Sequence, residues 1–402
     1  MKRFSFAKTM AVAGALSLAA SLVPTSALSQ ANAIKIGIDL PVSGADASDG
    51  IPTRNGAVLA IEEAKGASGF SFVADDLDDA VQGKHNPAQG AQNVKTFIAD
   101  PAVLAIVGPF NSNVAKAEIP LTNDAGLVQI SPSNTNPGLT KGPDAAKLRT
   151  NPVNNYFRVC TTDDKQGGAG AQFARKLGYS KVFIIDDNET YGKGLADVFE
   201  ADFKADGGTV LGHEHITSGQ QDFKALLTKA ASLGPDFIYF GGTTSSGGGL
   251  VRKQMEDAGM KNVAYFGGDG ISDAEFITVT GDMANNTYYT VAAPETSKLA
   301  SAATFVADYK KRFGSDPGPY SANAYAIAQI EIAAINKAIT ADGGKMPTRA
   351  QVLANVAATK DFPTPIGKVG FDANGDTTNG ILSLYAIKDG KSEFINQISF
   401  KD

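Results

Sequence analysis

With 402 residues the chain exceeds what one compact core holds comfortably, so two domains are expected. Its 42 acidic residues outnumber 36 basic ones, and the resulting net charge of −6 argues against nucleic acid or an anionic membrane surface as partner. The single cysteine, Cys160, excludes an intrachain disulfide and reads as a small buried residue ending the run YFRVC.

At the N-terminus Lys2, Arg3 and Lys8 precede an apolar run of 14 residues, MAVAGALSLAASLV, and then the small-residue stretch SALSQANA. Basic, apolar, small is the order of a secretory signal peptide, with Ala31 or Ala33 as the last residue removed. The run is too short to span a bilayer. Loss of residues 1–31 removes three positive charges and takes −6 to about −9. No cysteine stands near the cleavage zone to carry a lipid, and no later stretch is long and apolar enough to span a membrane. An exported, soluble protein is expected.

From residue 33 onward, strand-like runs alternate with helical patterns. The runs are 33–40, 70–77, 103–108, 127–131, 181–187, 208–216, 236–242 and 263–268. Between them, 55–65, 88–100, 194–207 and 222–234 repeat apolar residues at helical spacing, several closed by glycine. This alternation predicts an α/β fold, with parallel sheets covered by helices on both faces. Beyond about residue 285 helices dominate (297–314, 322–344 and 348–358), and the chain closes with strand-like pieces at 369–372, 381–391 and 394–400. Asp389-Gly390 between the last two reads as a hairpin turn.

Residues 105–135 and 238–272 share one order: strand, polar turn, helix, Asp-Ala-Gly, strand, polar turn. Gly108 to Ala125 and Gly241 to Ala258 are both 17 residues. Two copies of one unit predict two similar α/β lobes. Each copy sets its polar turns at the carboxyl ends of strands, where open α/β sheets bind ligands.

One of those turns, FGGTTSSGGG at 240–249, has the glycine content of a phosphate loop. A Walker loop needs Lys after its last glycine, but Leu250 and Val251 follow, with Arg252 inside the helix. Nucleotide is therefore not expected, although free N–H groups at a helix start suit a small carboxylate. In FDANGDTTNGIL, Asp372, Asn374 and Asp376 imitate a calcium loop, but Thr377 and Ser383 stand where Gly and Glu belong, so a tight turn is expected. His213 and His215 share one strand face without a third ligand nearby in sequence, so no metal is expected and the pair reads as solvated. No G-x-S-x-G elbow or cysteine–histidine motif is present. The carboxylate pairs Asp75–Asp76, Asp78–Asp79 and Asp186–Asp187 read as strand-end residues, which leaves an exported glycosidase as the enzyme alternative. No catalytic residue and no cofactor is expected.

Several segments in order, IKIGIDLPVSG, RNGAVLAIEEAK, VGPFNSN, AGLVQISPSNTNPGLT, FRVCTTDDKQGG, DDNETYGKG, DFIYFGG and FDANGD, resemble the leucine/isoleucine/valine-binding proteins. These are periplasmic substrate-binding proteins of ABC importers with the type I bilobed fold. The resemblance runs from about residue 34 to the C-terminus. It implies a monomer that closes on an amino acid and delivers it to a permease in the inner membrane. It also implies three crossings near residues 162, 291 and 378, giving one lobe of 32–162 plus 292–378 and another of 163–291 plus 379–402.

By the same resemblance, Ser112 and helix-start N–H groups hold the ligand's α-carboxylate, with Ser131 standing 19 residues beyond. Asn134 and Thr135 meet the α-ammonium through a backbone carbonyl and a hydroxyl. Asp269 completes the cage where the family has Glu, and Tyr191 matches a cleft tyrosine. This cage is chemically consistent, since a zwitterion leaving water needs donors at one end and a carboxylate at the other. Asp49 and Thr243 depart from the family's pattern, standing where leucine-binding members carry aromatics. Their loss opens the side-chain pocket and makes it wetter, with Asp49 either lining it or pointing to solvent. An amide, urea-like or aromatic carboxylate ligand is the alternative in the same fold. A hydrolase would be revealed by turnover of the bound molecule.

Overall fold

The computed structural model describes residues 32–400 apart from Ser218, so the expected signal peptide lies outside the described residues. Its first sheet holds β1 (Ala33–Leu40), β2 (Ser71–Asp78), β3 (Val103–Val107), β4 (Val128–Ser131) and β5 (Tyr156–Arg158). The order is β2-β1-β3-β4-β5, all parallel. β1 shows why the run folds as a strand. Ile34, Ile36, Ile38 and Leu40 are fully buried on one face, while Lys35 on the other pairs with Asp75 and Asp100 at 3.1 and 2.8 Å.

The second sheet holds β6 (Lys181–Asp186), β7 (Thr209–His215), β8 (Phe237–Gly241), β9 (Ala264–Gly267), β10 (Thr287–Val291), β11 (Gly380–Lys388) and β12 (Lys391–Phe400). Its order is β12-β11-β10-β9-β8-β6-β7. The five strands β7-β6-β8-β9-β10 repeat the parallel topology of the first sheet, and β11 and β12 add an antiparallel hairpin. Asp389 and Gly390 turn that hairpin with φ of 49° and 67°, as Asp-Gly predicts.

The helices follow in order: α1 (Ala47–Glu63), α2 (Pro87–Ala99), α3 (Ser112–Asp124), α4 (Gly142–Leu148), α5 (Asp163–Lys176), α6 (Thr190–Ala205), α7 (Lys224–Ser232), α8 (Gly249–Gln254), α9 (Ala274–Thr280), α10 (Ala303–Phe313), α11 (Ser321–Ala341) and α12 (Arg349–Ala357). After β10 the chain returns to the first sheet, where α11 packs along α1 and α12 covers β3 and β4, before it crosses again to β11. The three passages run side by side: the Thr161 N–H donates to Ala292 O at 3.1 Å, and Thr161 Oγ1 to Ile381 O at 2.7 Å. Each sheet has its own main apolar core, one built on Ile34, Ile38 and Ile335, the other on Phe199, Phe237 and Tyr239. Two cores make two lobes.

Three differences from the sequence reading have physical causes. α1 starts at Ala47 rather than near residue 55, because Gly50 and Gly56 let it press against Pro41 O and Ser321 O despite Pro52 inside it. α5 was missed because Gly167, Gly168 and Gly170 lower helix propensity, yet Gly167 abuts Val198 and Phe199 of α6 where a side chain would clash. β10 was also missed: TYYTV stands after Asn285-Asn286 without the longer apolar run of its neighbours, and it is set by pairing with β9 and β11.

Candidate functional site

The seven residues singled out in the sequence all fall just past carboxyl ends of strands. Asp49 follows β1 in the first turn of α1, Ser112 begins α3 after β3, and Asn134 and Thr135 follow β4. Tyr191 opens α6 after β6, Thr243 follows β8, and Asp269 follows β9. The two sheets point these ends at each other, and hydrogen bonds cross between them. Tyr320 Oη donates to Asp269 Oδ2 (3.0 Å), Ser48 Oγ to Asp273 Oδ1 (3.1 Å) and Asn136 Nδ2 to Thr190 O (2.6 Å).

Asp269 is buried and accepts from both lobes. Gln166 Nε2 (2.6 Å) and Tyr191 Oη (3.1 Å) reach Oδ1, while Tyr320 comes from the other side. Burial raises its carboxyl above the usual range, and the three donors only partly offset that. Tyr191 also accepts from the Gly270 N–H at 3.0 Å, so it fixes the turn that carries Asp269. Asp163, at the start of α5, is fully buried with both carboxylate oxygens unpartnered; burial pushes it well up, and Asp269 adds to the effect.

In the first lobe, Ser112 Oγ and Thr135 Oγ1 are buried and unpartnered, as open positions for a ligand would be. Asn134 is already engaged. Its carbonyl takes Arg158 Nη1 at 2.5 Å, and its side chain binds Phe110 O and the Tyr156 hydroxyl at 2.7 and 2.8 Å. Asn134 therefore shapes the loop from behind, and its carbonyl already accepts one donor from Arg158. Arg158, fully buried, is the residue the sequence hid: it pairs with Asp376 at 2.7 Å and clamps the loop at Asn136 O as well. Asp376 itself belongs to the expected tight turn, in which Asp372 Oδ1 accepts from the N–H groups of Asn374 and Asp376.

Part of the glycine-rich loop's N–H set is engaged within the loop itself. Thr243 N–H donates to Ser246 Oγ (2.9 Å), Ser246 N–H to Thr243 Oγ1 (3.1 Å) and Gly248 N–H to Thr243 O (3.1 Å). Asp187, buried beneath, accepts from Ser246 Oγ at 2.7 Å and is raised to about 7 mainly by that burial. Arg252 turns away to bind Met283 O and Val263 O. The loop is a wall in which these three N–H donors are engaged.

Asp49 and Thr243 do meet. They line one narrow cavity between the lobes, only about 10 Å3 with the lobes as they stand, together with Asp46, Ser48, Asn111 and Asp273. Burial pushes the Asp49 carboxyl well above its ordinary range, and Asp273, Asp46 and Asp269 reinforce this by repulsion. A wider groove of about 290 Å3 also lies between the lobes, lined by Lys116, Asn136 and Asp144 from one and Glu189, Thr190 and Lys193 from the other, but it holds none of the seven residues.

At the cleft's edge His85 is gripped from both lobes. Its Nδ1 contacts Asp46 Oδ2 at 2.7 Å and its Nε2 contacts Glu189 Oε2 at 2.9 Å. Burial alone would lower its pKa, yet the two carboxylates outweigh burial and raise it to about 10. The other histidines are not simply solvated, as their alternation suggested. His213 bridges Asp186 and Glu200 at 2.7 and 2.5 Å, and His215 contacts Asp186 at 2.7 Å. Three donor atoms of Asp186, His213 and His215 lie within 4.8 Å of one another, and ion pairing accounts for that cluster.

The family model described as periplasmic binding protein matches residues 33–391. A Leu/Ile/Val-binding protein of Rhizobium johnstonii is 34% identical over 362 residues, covering 89% of this chain and 92% of the relative. Among solved structures, the leucine binding protein LivK of Thermotoga maritima superposes with a TM-score of 0.80 at 27% identity, covering 91% and 98% of the two chains. The branched-chain amino acid transporter substrate binding protein LivJ of Streptococcus pneumoniae, in complex with isoleucine, gives 0.78 at 29% identity, covering 92% and 100%.

Proposed function

The chain belongs to the periplasmic binding protein family, and on that premise we propose that it captures an amino acid between its lobes and delivers it to the permease of an ABC importer. One observation carries the reading: Ser112 Oγ and Thr135 Oγ1 lie buried and unpartnered in one lobe, while the other presents the buried carboxyl of Asp269. The Ser112 hydroxyl serves the carboxylate end of a zwitterion as a donor, and the Thr135 hydroxyl and the Asp269 carboxyl serve its ammonium as acceptors. Tyr191 positions Asp269, and Asp163 adds a second acid beside it. The lobes are taken as 32–162 with 292–378 and 163–291 with 379–402. The adjacent passages at Thr161, Ala292 and Ile381 support these hinges.

The protein works in the periplasm as a monomer without catalysis, after residues 1–31 direct export and are removed. No helix among the described residues is long and apolar enough to cross a membrane. Native mass spectrometry of protein from the periplasmic fraction tests the whole reading. The expected species begins near Asn32 or Ile34 and releases an amino acid on activation. A chain with Met1 intact in the membrane fraction, or a released molecule without an amino group, would overturn it.

A further inference from the structure

Resting on the amino-acid reading of the cleft, we propose that the ligand's side chain carries a second cationic nitrogen, as in lysine, ornithine or arginine, and that Asp49 receives it. The cavity next to the zwitterion positions is lined by Asp46, Ser48, Asp49, Asn111, Thr243 and Asp273. Sorting these groups by what they already hold leaves a specific vacancy. Asp46 is neutralised by His85. Asp273 accepts from Ser48 Oγ, Thr244 Oγ1 and the Phe276 N–H. Thr243 Oγ1 accepts from the Ser246 N–H and faces Ser245 Oγ at 3.0 Å.

Two acceptors remain. Asp49, half-buried, makes no hydrogen bond or ion pair among the described residues, and the carboxylates nearest it are those of Asp273, Asp269 and the His85-paired Asp46. Independently, Asn111 Oδ1 lines the same cavity, is buried to 9% exposure for the residue, and has no partner. No Lys or Arg lines this cavity. Acceptors without donors in a shielded cavity call for N–H groups, and a carboxylate among carboxylates calls for a positive one. An aliphatic side chain such as leucine's would leave the buried Asn111 Oδ1 unanswered and Asp49 without a counter-charge, which disfavours it.

Calorimetry on the mature protein at neutral pH, titrated separately with L-lysine, L-ornithine, L-arginine and L-leucine, tests the idea. At least one basic amino acid should bind about tenfold or more tightly than leucine. Asp49→Asn keeps the shape and should weaken that basic ligand about tenfold or more, narrowing its advantage over leucine. Asp49→Asn should melt no lower than the parent, because removing the charge relieves repulsion, so a loss of binding is not a loss of fold. Leucine binding tighter than all three basic amino acids, or a preference unmoved by Asp49→Asn, overturns the inference and leaves the amino-acid reading intact. Failure of every amino acid to bind removes both.

Discussion

Asp269 accepts hydrogen bonds from three segments of chain, 51 residues away at Tyr320, 78 at Tyr191 and 103 at Gln166. In the proposed reading it is both a ligand group and a sensor of closure, because Tyr320 reaches it from the opposite lobe. Asp269→Asn preserves the shape but leaves a buried ammonium underpaired, which costs roughly 2–5 kcal/mol of binding, on the order of 30-fold or more. Ser112→Ala should cost less, roughly 1–3 kcal/mol, since the N–H groups that start α3 remain. Calorimetry with the natural ligand measures both, and equal binding by Asp269→Asn and parent would refute the role given to Asp269. Asp269 and Ser112 were legible because their motifs match those of the resembling family, and both fall just past strand ends. Gln166, Tyr320, Asp163 and Arg158 were not, since what defines them is the partner that folding brings across long stretches of sequence. Asn134 shows the converse: its place in the motif was clear, but Arg158 behind the loop decides where its carbonyl points.

At the scale of elements, the short hairpin carrying His85 and the start of α6 carrying Glu189 form a latch. Glu189 Oε2 receives His85 Nε2 and also Asn113 Nδ2 at 3.0 Å, so two groups of one lobe close on one carboxylate of the other. Asp46, Asp79 and Asp187 also face the imidazole electrostatically. Because the folded pKa of His85 is raised, to about 10, its contribution is complete below its ordinary value near 6.5 and is lost as pH rises through about 10. Glu189→Gln removes one of the two carboxylates that hold the proton. The alkaline limb of melting temperature against pH should then move to lower pH, and ligand binding should weaken by roughly 1–3 kcal/mol. An alkaline limb unmoved in the variant would show that the latch does not govern closure. Most strands and helices could be read from the chain because their burial patterns are local. α5 could not, because its glycines are explained by the helix it touches rather than by neighbours in sequence.

On the scale of the whole molecule, closure sets two opposing effects against each other. It brings Asp49 of one lobe against Asp269 and Asp273 of the other, where their repulsion resists the closed form. It also makes the cross-lobe bonds of Tyr320, Ser48, Asn136 and His85, several of which involve those same carboxylates. A cationic group placed among the acids removes the repulsion without disturbing the bonds, so it binds the closed form better and shifts the population toward it. The three adjacent passages at Thr161, Ala292 and Ile381 allow the lobes to turn as units while each keeps its own core. X-ray scattering on the mature protein should therefore give a smaller radius of gyration with saturating ligand than without it. Asp49→Asn should lower the repulsion and make the empty protein more compact than the empty parent, even as it weakens the ligand. Saturable binding with an unchanged radius in the parent would mean that the lobes do not close on their ligand, and the cleft would then have to be a preformed cavity.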